Sequence, residues 1–265
     1  MAKEGDKFIP IYLPPHGKPL GSNPTWKVGA GIVIPLLHLI SKKNWRGVAN
    51  IPQSGPMIAI CNHISYLDPL IFTHFLYANG RAVRFLGKAS LFKVPVLGWI
   101  LRHGEQVPVE REVKGASTVA LSHALAFLKA GHCLGVYPEG TLTRDPEGWP
   151  MVAKTGLARL AVMSRAPVIP CAQWGAAEIL PTYSKRPKLW PRTKVTVIAG
   201  EPLDFSPWYG KEEDHRAMIE ATAYAMSGIT HLLEEIRGAG APKSIFDPHL
   251  SDLPRSGNFR KRKSK

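Results

Sequence analysis

The sequence predicts an α/β fold in which a mostly parallel central sheet is flanked by helices. Short apolar runs that are typical of buried strands alternate along the chain with longer segments of helical periodicity. Strands that alternate with helices in this way usually form a parallel sheet with helices packed on its faces. The chain has 265 residues, of which 45% are hydrophobic, which suits one such domain with a sizeable core.

The first part of the chain predicts an arm, two helices and two strands. Residues 1–24 are polar and rich in Pro and Gly, so we expect an extended arm. Residues 26–42 have the apolar face of a helix. Residues 47–51 and Met57–Cys61 are predicted strands, the second of them buried, and Pro69–Tyr77 is predicted to continue as a helix.

The rest of the chain continues the alternation. Further strands are predicted over 81–86, 106–109, 133–136, 168–172 and 195–199, and further helices over 116–130, 153–164 and 214–237. Gly131 and Gly238 are expected to end two of these helices. The apolar segment 91–101, which contains Pro95 and Gly98, is expected either to pack on the domain or to dip into a membrane.

These segments divide into three parts: an N-terminal arm and interfacial helix (1–45), an α/β domain (46–240) and a flexible basic tail (241–265). The apolar run 28–37 is too short to span a bilayer, and basic and tryptophan residues flank it. The alternative is a helix that packs against the domain. Within this tail, residues 254–265 have almost no apolar content, so we expect them to be disordered and able to bind an anionic leaflet.

The charge of the chain limits the classes of partner that it is expected to bind. A net charge of +14 and a pI of about 9.8 favour phospholipid headgroups, nucleic acid or coenzyme A. The sequence has no RRM, zinc-finger or helix-turn-helix signature, so a nucleic-acid-binding protein remains only a remote alternative. The three cysteines lack metal-ligand spacing and no signal peptide is evident, so we expect a reduced, cytoplasmic protein without a bound metal.

The most informative feature is the run Asn62–Pro69, which contains His63 and Asp68 and directly follows a predicted buried strand. On an ideal helix, residues five apart lie on different faces, so the two side chains can meet only if the chain turns between them. Pro69 favours such a turn, with Asp68 as the N-cap of the next helix. A carboxylate on one ring nitrogen would leave the other free as a general base. The alternative is a loop histidine beside a capping aspartate.

Three more motifs follow in order: Gly87–Gly98 leading to Val107–Arg111, then Tyr137–Thr141, then Pro167–Pro170. Together with Asn62–Pro69 they resemble the glycerolipid acyltransferase family, which makes phosphatidic acid from lysophosphatidic acid. The resemblance covers residues 51–202. It departs from the common pattern at Val109–Glu110, where isoleucine and aspartate are usual, and after Thr141, where an arginine is expected at once but Arg144 comes three residues later.

The resemblance implies a role for each motif. His63 would be the catalytic base and Asp68 its orienting carboxylate. The phosphate of the acceptor would be bound by Lys88, Arg111, Glu139, Gly140 and Thr141. The alternatives are a surface ion pair for Arg111, a surface lysine for Lys88 and an ordinary strand-end turn at Glu139–Thr141. From hydrophobicity alone, an acyl tunnel would be lined by Phe85, Leu91, Phe92, Val96 and Leu97.

The implied activity is transfer of a fatty acyl chain from acyl-CoA, or from acyl carrier protein, to the free hydroxyl of lysophosphatidic acid. No cofactor is expected beyond that cosubstrate. The implied location is the cytoplasmic face of the cell membrane, as a peripheral protein on an anionic surface. The same chemistry on glycerol 3-phosphate, another lysophospholipid or a glycolipid is the alternative, since the sequence does not reveal the walls of the acceptor pocket.

Overall fold

The computed structural model describes residues 19–109, 116–184, 186–248 and 250, without the side chains of Lys88, Val96, Leu97, Val109 and Ala116. The described strands are β1 (Ser41–Arg46), β2 (Met57–Cys61), β3 (Val83–Lys88), β4 (Val107–Val109), β5 (Cys133–Val136), β6 (Val168–Trp174) and β7 (Thr193–Ala199). The described α-helices are α1 (Pro24–Ile40), α2 (Asp68–Ala78), α3 (Pro95–His103), α4 (Ala116–Lys129), α5 (Gly156–Ser164), α6 (Ala176–Ile179) and α7 (His215–Arg237). Short 3₁₀ turns cover Val48–Asn50, Ala89–Lys93 and Ser206–Trp208.

The strands form one seven-stranded sheet in the order β1-β7-β6-β2-β5-β3-β4. Every neighbouring pair is parallel except β6 and β7, which are antiparallel. The predicted mostly parallel sheet is therefore confirmed. β2 lies near the middle, between β5 and β6, so the residues that follow it leave from the centre of the sheet.

Helices cover both faces of the sheet. One apolar cluster contains Leu37, Phe72 and Ile179 from α1, α2 and α6, and the other contains residues of α4, α5 and α7. β2 shows why its sequence is uniformly apolar. Its alternate residues contribute to the two clusters, with Met57, Ala59 and Cys61 in the first and Ile58 and Ile60 in the second. A strand that is buried on both faces needs apolar side chains in both directions.

The prediction of a strand over 47–51 is wrong. The strand is β1, Ser41–Arg46, and α1 ends at Ile40, where the Ser41 hydroxyl donates to the Leu37 carbonyl at 2.6 Å. Gly47 adopts φ +67°, which turns the chain into the 3₁₀ turn that follows. β1 is an edge strand that pairs only with β7 in this sheet, so the polar sequence Ser-Lys-Lys-Asn is tolerated there.

Two predicted mobile or membrane-dipping segments pack on the domain where they are described. Segment 91–101 forms a 3₁₀ turn and α3, with the Phe92 side chain buried. In the predicted tail, the Val152 amide donates to the Phe246 carbonyl at 3.0 Å, so residues 241–248 continue the domain. The remaining tail (251–265) and the arm to residue 18 lie outside the described residues. Within the described ranges, no helix has both the length and the apolar character needed to cross a bilayer.

Candidate active site

The exit of the chain from β2 is fixed by Asn62. The Asn62 side chain donates to the Gln173 carbonyl at 3.0 Å and accepts from the Gln173 amide at 2.8 Å. The Gln173 side chain in turn donates to the Asn62 carbonyl at 3.3 Å. This reciprocal set joins β2 to β6 at the carboxyl end of β2, and it sets the position from which His63 projects.

The structure brings His63 and Asp68 together. His63 Nδ1 lies 3.0 Å from Asp68 Oδ2, and the chain turns between them, with the Asp68 amide donating to the Ser65 carbonyl at 3.1 Å. The Asp68 side chain is 1% exposed and the His63 side chain 15% exposed. With Nδ1 held by the carboxylate, Nε2 is the ring nitrogen left for a substrate proton.

The same carboxylate oxygen organises the whole turn. Asp68 Oδ2 also accepts from the backbone amides of Ile64 at 2.6 Å and Ser65 at 2.7 Å. The prediction that Asp68 is the N-cap of α2 is wrong, because the helix starts at Asp68 and its N-cap is Leu67. The hydrogen bonds of the carboxylate run backward to the turn, so its position and charge serve His63 rather than the helix.

An aromatic stack supports the imidazole from one side. The His63 ring stacks on Tyr137 with ring centroids 4.2 Å apart and an interplanar angle of 21°. Tyr137 stacks in turn on Phe85 at 5.7 Å and 8°. Tyr137 directly follows β5 and Phe85 lies in β3, so neighbouring strands of the sheet supply this support. In the sequence Tyr137 is only the first residue of its motif, so its contact with His63 could not be predicted.

The loop after β5 is joined to the His63 segment. Gly140 adopts φ +69°, and its amide donates to the Tyr137 carbonyl at 2.9 Å, which closes a tight turn. Two residues after the partly buried Thr141, the Thr143 amide donates to the His63 carbonyl at 2.7 Å. The predicted phosphate loop and the predicted base are therefore in direct backbone contact.

Glu139 occupies the interior of this loop. Its side chain is buried, and its Oε2 accepts from the Met151 amide at 3.1 Å. Burial raises the pKa of the Glu139 carboxyl to about 8. Glu139 also forms hydrogen bonds with the His63 backbone and the Thr143 side chain, and below pH 8 its carboxyl is mostly neutral.

The Lys154 side chain also belongs to the site, although the sequence did not predict it. Its amide donates to the Pro138 carbonyl at 3.0 Å. Its side chain lies over Gly140, where an added Cβ would come within 3.3 Å of Lys154 Cε and 3.4 Å of Nζ. In the sequence, Lys154 lies just before α5 and outside the four motifs, so nothing pointed to its side chain. Arg144, whose role the sequence left open, is buried.

The remaining predicted phosphate ligands follow β3 and β4. Lys88 ends β3 and is paired by register with Val109, the last residue of β4. The Lys88 side chain and all of Arg111 lie outside the described residues. β2, β5, β3 and β4 are successive parallel neighbours, so the residues after each strand meet at one edge of the sheet. Ligands of open α/β sheets bind at this carboxyl edge.

The predicted tunnel residues occupy different environments. Phe85 is partly buried and belongs to the stack with Tyr137, and Phe92 is buried beside Gly87. Leu91 is exposed on the 3₁₀ turn, and the side chains of Val96 and Leu97 are outside the described set. Only Phe85 among the described ones is connected to His63 through ring contacts.

Two nearby nucleophilic groups have other roles. Burial raises the pKa of the Cys61 thiol well above its ordinary value, which keeps this strand residue an inert thiol. The Ser65 hydroxyl donates to the Leu180 carbonyl at 2.7 Å and accepts from the Leu67 amide at 3.1 Å. Both hydrogen-bond partners of the Ser65 hydroxyl are therefore backbone groups.

Comparison with known proteins adds sequence and fold relationships to this geometry. Similar proteins include a chloroplastic 1-acyl-sn-glycerol-3-phosphate acyltransferase of Brassica napus, 30% identical over 65% of this chain and 47% of that protein. A 1-acyl-sn-glycerol-3-phosphate acyltransferase of Bacillus subtilis is 28% identical over 71% of this chain and 87% of that protein. The crystal structure of the 1-acyl-sn-glycerophosphate (LPA) acyltransferase from Thermotoga maritima is similar in fold, with a TM-score of 0.60 and 25% identity. That similarity covers 84% of this chain and 86% of the Thermotoga chain.

The extent of these matches differs between relatives. The chain spans about half of the length of the Brassica relative, but 87% of the Bacillus protein and 86% of the Thermotoga chain. Residues 42–174 match the protein family described as Acyltransferase, a range that runs from the second residue of β1 to the end of β6 and contains the His63–Asp68 pair and the loop at Glu139. This range is half of the chain and includes the site built above. The chain belongs to the acyltransferase family.

Proposed function

We propose that this protein transfers a fatty acyl chain from acyl-CoA or acyl carrier protein to the free hydroxyl of lysophosphatidic acid, giving phosphatidic acid. The observation that carries the proposal is the His63–Asp68 pair at the carboxyl edge of the sheet, with Nδ1 and Oδ2 at 3.0 Å. The names of the Brassica, Bacillus and Thermotoga relatives support the choice of acceptor.

The chemistry needs one base and one orienting carboxylate. His63 Nε2 takes the proton of the acceptor hydroxyl as its oxygen attacks the thioester carbonyl carbon. The new C–O bond forms, and the C–S bond then breaks to release a thiolate, which takes up the proton from the imidazolium. Asp68 fixes the tautomer and stabilises the positive imidazolium, as the carboxylate of a serine protease triad does. The acceptor hydroxyl stands where such a triad has its serine.

The acceptor phosphate would bind beside this pair. Lys154 brings an ammonium group to Gly140, and the turn at Gly140–Thr141 is joined to the His63 backbone through Thr143. Lys88, the last residue of β3, and Arg111, two residues after β4 in the sequence, would add positive charge. A neutral Glu139 would hold the loop without repelling the phosphate.

A bilayer would deliver the acceptor. We propose a peripheral location on the anionic cytoplasmic face of the cell membrane, with α1 as an interfacial helix. Four apolar side chains of α1 are each more than half exposed, and their spacing of four, four and three residues puts them on one helix face: Val28, Ile32, Leu36 and Leu39. Exposed lysines follow at the end of the helix, as anionic headgroups require.

An acceptor panel tests the proposal. With one acyl-CoA donor, lysophosphatidic acid, glycerol 3-phosphate, lysophosphatidylcholine and a glycolipid are compared, and the products are identified by mass spectrometry. We expect phosphatidic acid from lysophosphatidic acid as the main product. A clear preference for another acceptor would contradict the proposed substrate and keep the reaction type.

Lys154 gives the panel a matched variant. Loss of a charge-assisted contact of about 1.5–3 kcal/mol predicts that Lys154→Ala raises the KM for lysophosphatidic acid about tenfold or more. The exposed Lys211, whose ammonium group donates to the Pro207 carbonyl, is the control, and Lys211→Ala should leave this KM unchanged. Equal KM values in the two variants would remove Lys154 from the phosphate site.

A further inference from the structure

The connection between α6 and β7 carries an unusually exposed apolar tip. This segment, residues 184–192 with Lys185 outside the described residues, is called the Trp190 loop. Trp190 is 83% exposed and the neighbouring Leu189 is 52% exposed. A tryptophan is normally highly buried in a folded protein, so two adjacent large apolar side chains in solvent call for an explanation.

The charge of the loop has one sign. Arg186, Lys188 and Arg192 are exposed around Leu189 and Trp190, and the sequence from Pro181 to Arg192 contains no acidic residue. Tryptophan and leucine flanked by basic side chains are the composition of segments that lie at a bilayer interface. A basic residue near an anionic leaflet contributes about 1 kcal/mol of attraction.

The base of the loop is attached to the catalytic turn. The Thr182 hydroxyl donates to the Ile64 carbonyl at 2.9 Å, and the Ser65 hydroxyl donates to the Leu180 carbonyl at 2.7 Å. The Tyr183 ring meets the Tyr66 ring edge to face with centroids 6.2 Å apart. A surface that holds the Trp190 loop would therefore lie beside the turn that carries His63 and Asp68.

The end of the loop is attached to α1. The Arg192 guanidinium donates to the carbonyl of Ser41, the C-cap of α1, at 2.9 Å. This contact places the loop beside the helix end that carries the exposed Leu36 and Leu39. The apolar face of α1 and the Trp190 loop are thus neighbouring elements on the same side of the site.

We propose that the Trp190 loop is a second membrane contact, which inserts Leu189 and Trp190 into the interface of an anionic phospholipid bilayer. The binding partner is the bilayer, because the charged side chains of the loop are all basic and the loop adjoins the exposed apolar face of α1. The inference rests on the proposed function in one respect, that a bilayer supplies the acceptor. Attachment through two neighbouring elements, α1 and the Trp190 loop, would hold the His63 turn at the depth of the headgroups.

The experiment measures binding of the full chain to vesicles of phosphatidylglycerol and phosphatidylcholine by co-sedimentation, without substrate. Trp190→Ala is expected to lower the partition coefficient about tenfold. Ile219→Ala is the matched control, because Ile219 is 49% exposed on α7, which packs on the opposite face of the sheet. Lys188→Glu is expected to weaken binding to anionic vesicles and to leave binding to pure phosphatidylcholine unchanged.

A second measurement reports insertion directly. The three cysteines of the chain, Cys61, Cys133 and Cys171, are all buried, so Trp190→Cys provides an exposed site for a polarity-sensitive dye. A blue shift on addition of anionic vesicles supports insertion. An unchanged spectrum, or equal partition of Trp190→Ala and the native protein, overturns the inference.

The outcomes separate this inference from the proposed function. Vesicle binding needs no turnover, so an inactive protein that loses binding in Trp190→Ala would support the loop contact while the proposed reaction fails. An active protein whose partition is unaffected would overturn the loop contact alone. Loss of self-association in Trp190→Ala, with unchanged vesicle binding, would assign the tip to a second copy of the chain and also overturn the inference.

Discussion

A single carboxylate oxygen of Asp68 accepts three hydrogen bonds, two from backbone amides and the third from the ring of His63. The sequence predicted that the chain must turn between the two side chains, because the period of a helix keeps residues five apart on different faces. It could not predict that Asp68 would be the first residue of α2 rather than its cap. Both arrangements suit an Asp-Pro pair, and only the tertiary position of the turn selects one.

Tyr137 is expected to position the His63 ring. Stacked aromatic pairs contribute about 0.5–1.5 kcal/mol beyond their buried area. Tyr137→Leu should therefore lower kcat about threefold to tenfold and leave the acceptor KM nearly unchanged. Tyr137→Phe keeps the ring and should retain the native kcat. Steady-state kinetics of both variants make the test, and equal losses would mean that the hydroxyl rather than the stack matters.

Glu139 should make stability depend on pH with a definite sign. Its folded pKa of about 8 lies above the ordinary 4.5, so between these values the folded state binds more protons than the unfolded state. The contribution of this carboxyl to the free energy of unfolding is fully present below about pH 4.5, and it is lost as the pH rises through 8. The native protein should lose a few kcal/mol relative to Glu139→Gln across this window.

Urea denaturation of the two proteins from pH 5 to pH 9 measures that difference. Glu139→Gln keeps an amide oxygen that can accept from the Met151 amide, so it serves as a matched variant without the titration. If the difference in unfolding free energy between the two proteins stayed constant from pH 5 to pH 9, that result would contradict a raised pKa at Glu139.

Elements differed in how well their sequences predicted them. β2 and its neighbours were predicted closely because burial on both faces selects uninterrupted apolar runs. β1 was missed because an edge strand keeps polar residues, and the four-residue α6 is too short for a helical period to appear. Apolar patterns therefore predict the central strands and the apolar edge strand β4 better than the polar edge strand β1.

At the edge of the sheet, the backbone conformation at position 47 requires glycine. Gly47 adopts φ +67°, and an added Cβ would lie 1.8 Å from the Ala199 carbonyl oxygen, a backbone atom of β7. Left-handed strain and backbone overlap together predict that Gly47→Ala costs about 2–5 kcal/mol of unfolding free energy.

Gly55 is the matched control for that substitution. It has nearly the same φ, +68°, but no heavy atom lies within 4 Å of its added Cβ. Gly55→Ala should cost only the strain, about 1–2 kcal/mol. Denaturation midpoints and slopes give the change in unfolding free energy for each variant. Similar decreases in the two variants would show that the β7 backbone shifts at Ala199 to accommodate the added Cβ.

At the scale of the whole molecule, the sheet order joins segments that are distant in sequence. β2, β5, β3 and β4 are neighbours, so their carboxyl ends meet at one edge although up to about 75 residues separate them along the chain, from Cys61 to Val136. Their order in the sequence indicated the family and hence the grouping. Pairwise contacts such as Lys154 with Gly140 or Tyr137 with His63 could not be predicted, since they depend on loop paths that no period encodes.

An exposed apolar and basic surface spans several of the described elements. The exposed apolar face of α1, the lysines that follow it and the Trp190 loop lie on neighbouring elements, while α4, α5 and α7 cover the other face of the sheet. A peripheral attachment on the α1 side would place the carboxyl edge of the sheet near its lipid acceptor.

The central claim is acyl transfer with His63 as the base, and thiol release from palmitoyl-CoA tests it most directly. The native protein is assayed with and without lysophosphatidic acid beside His63→Ala, with His231→Ala, an exposed histidine of α7, as the control. We predict acceptor-dependent release that falls about 10²- to 10⁴-fold in His63→Ala and is unchanged in His231→Ala. Native rates in His63→Ala would contradict the mechanism, and release that ignores the acceptor would indicate a thioesterase instead of a transferase.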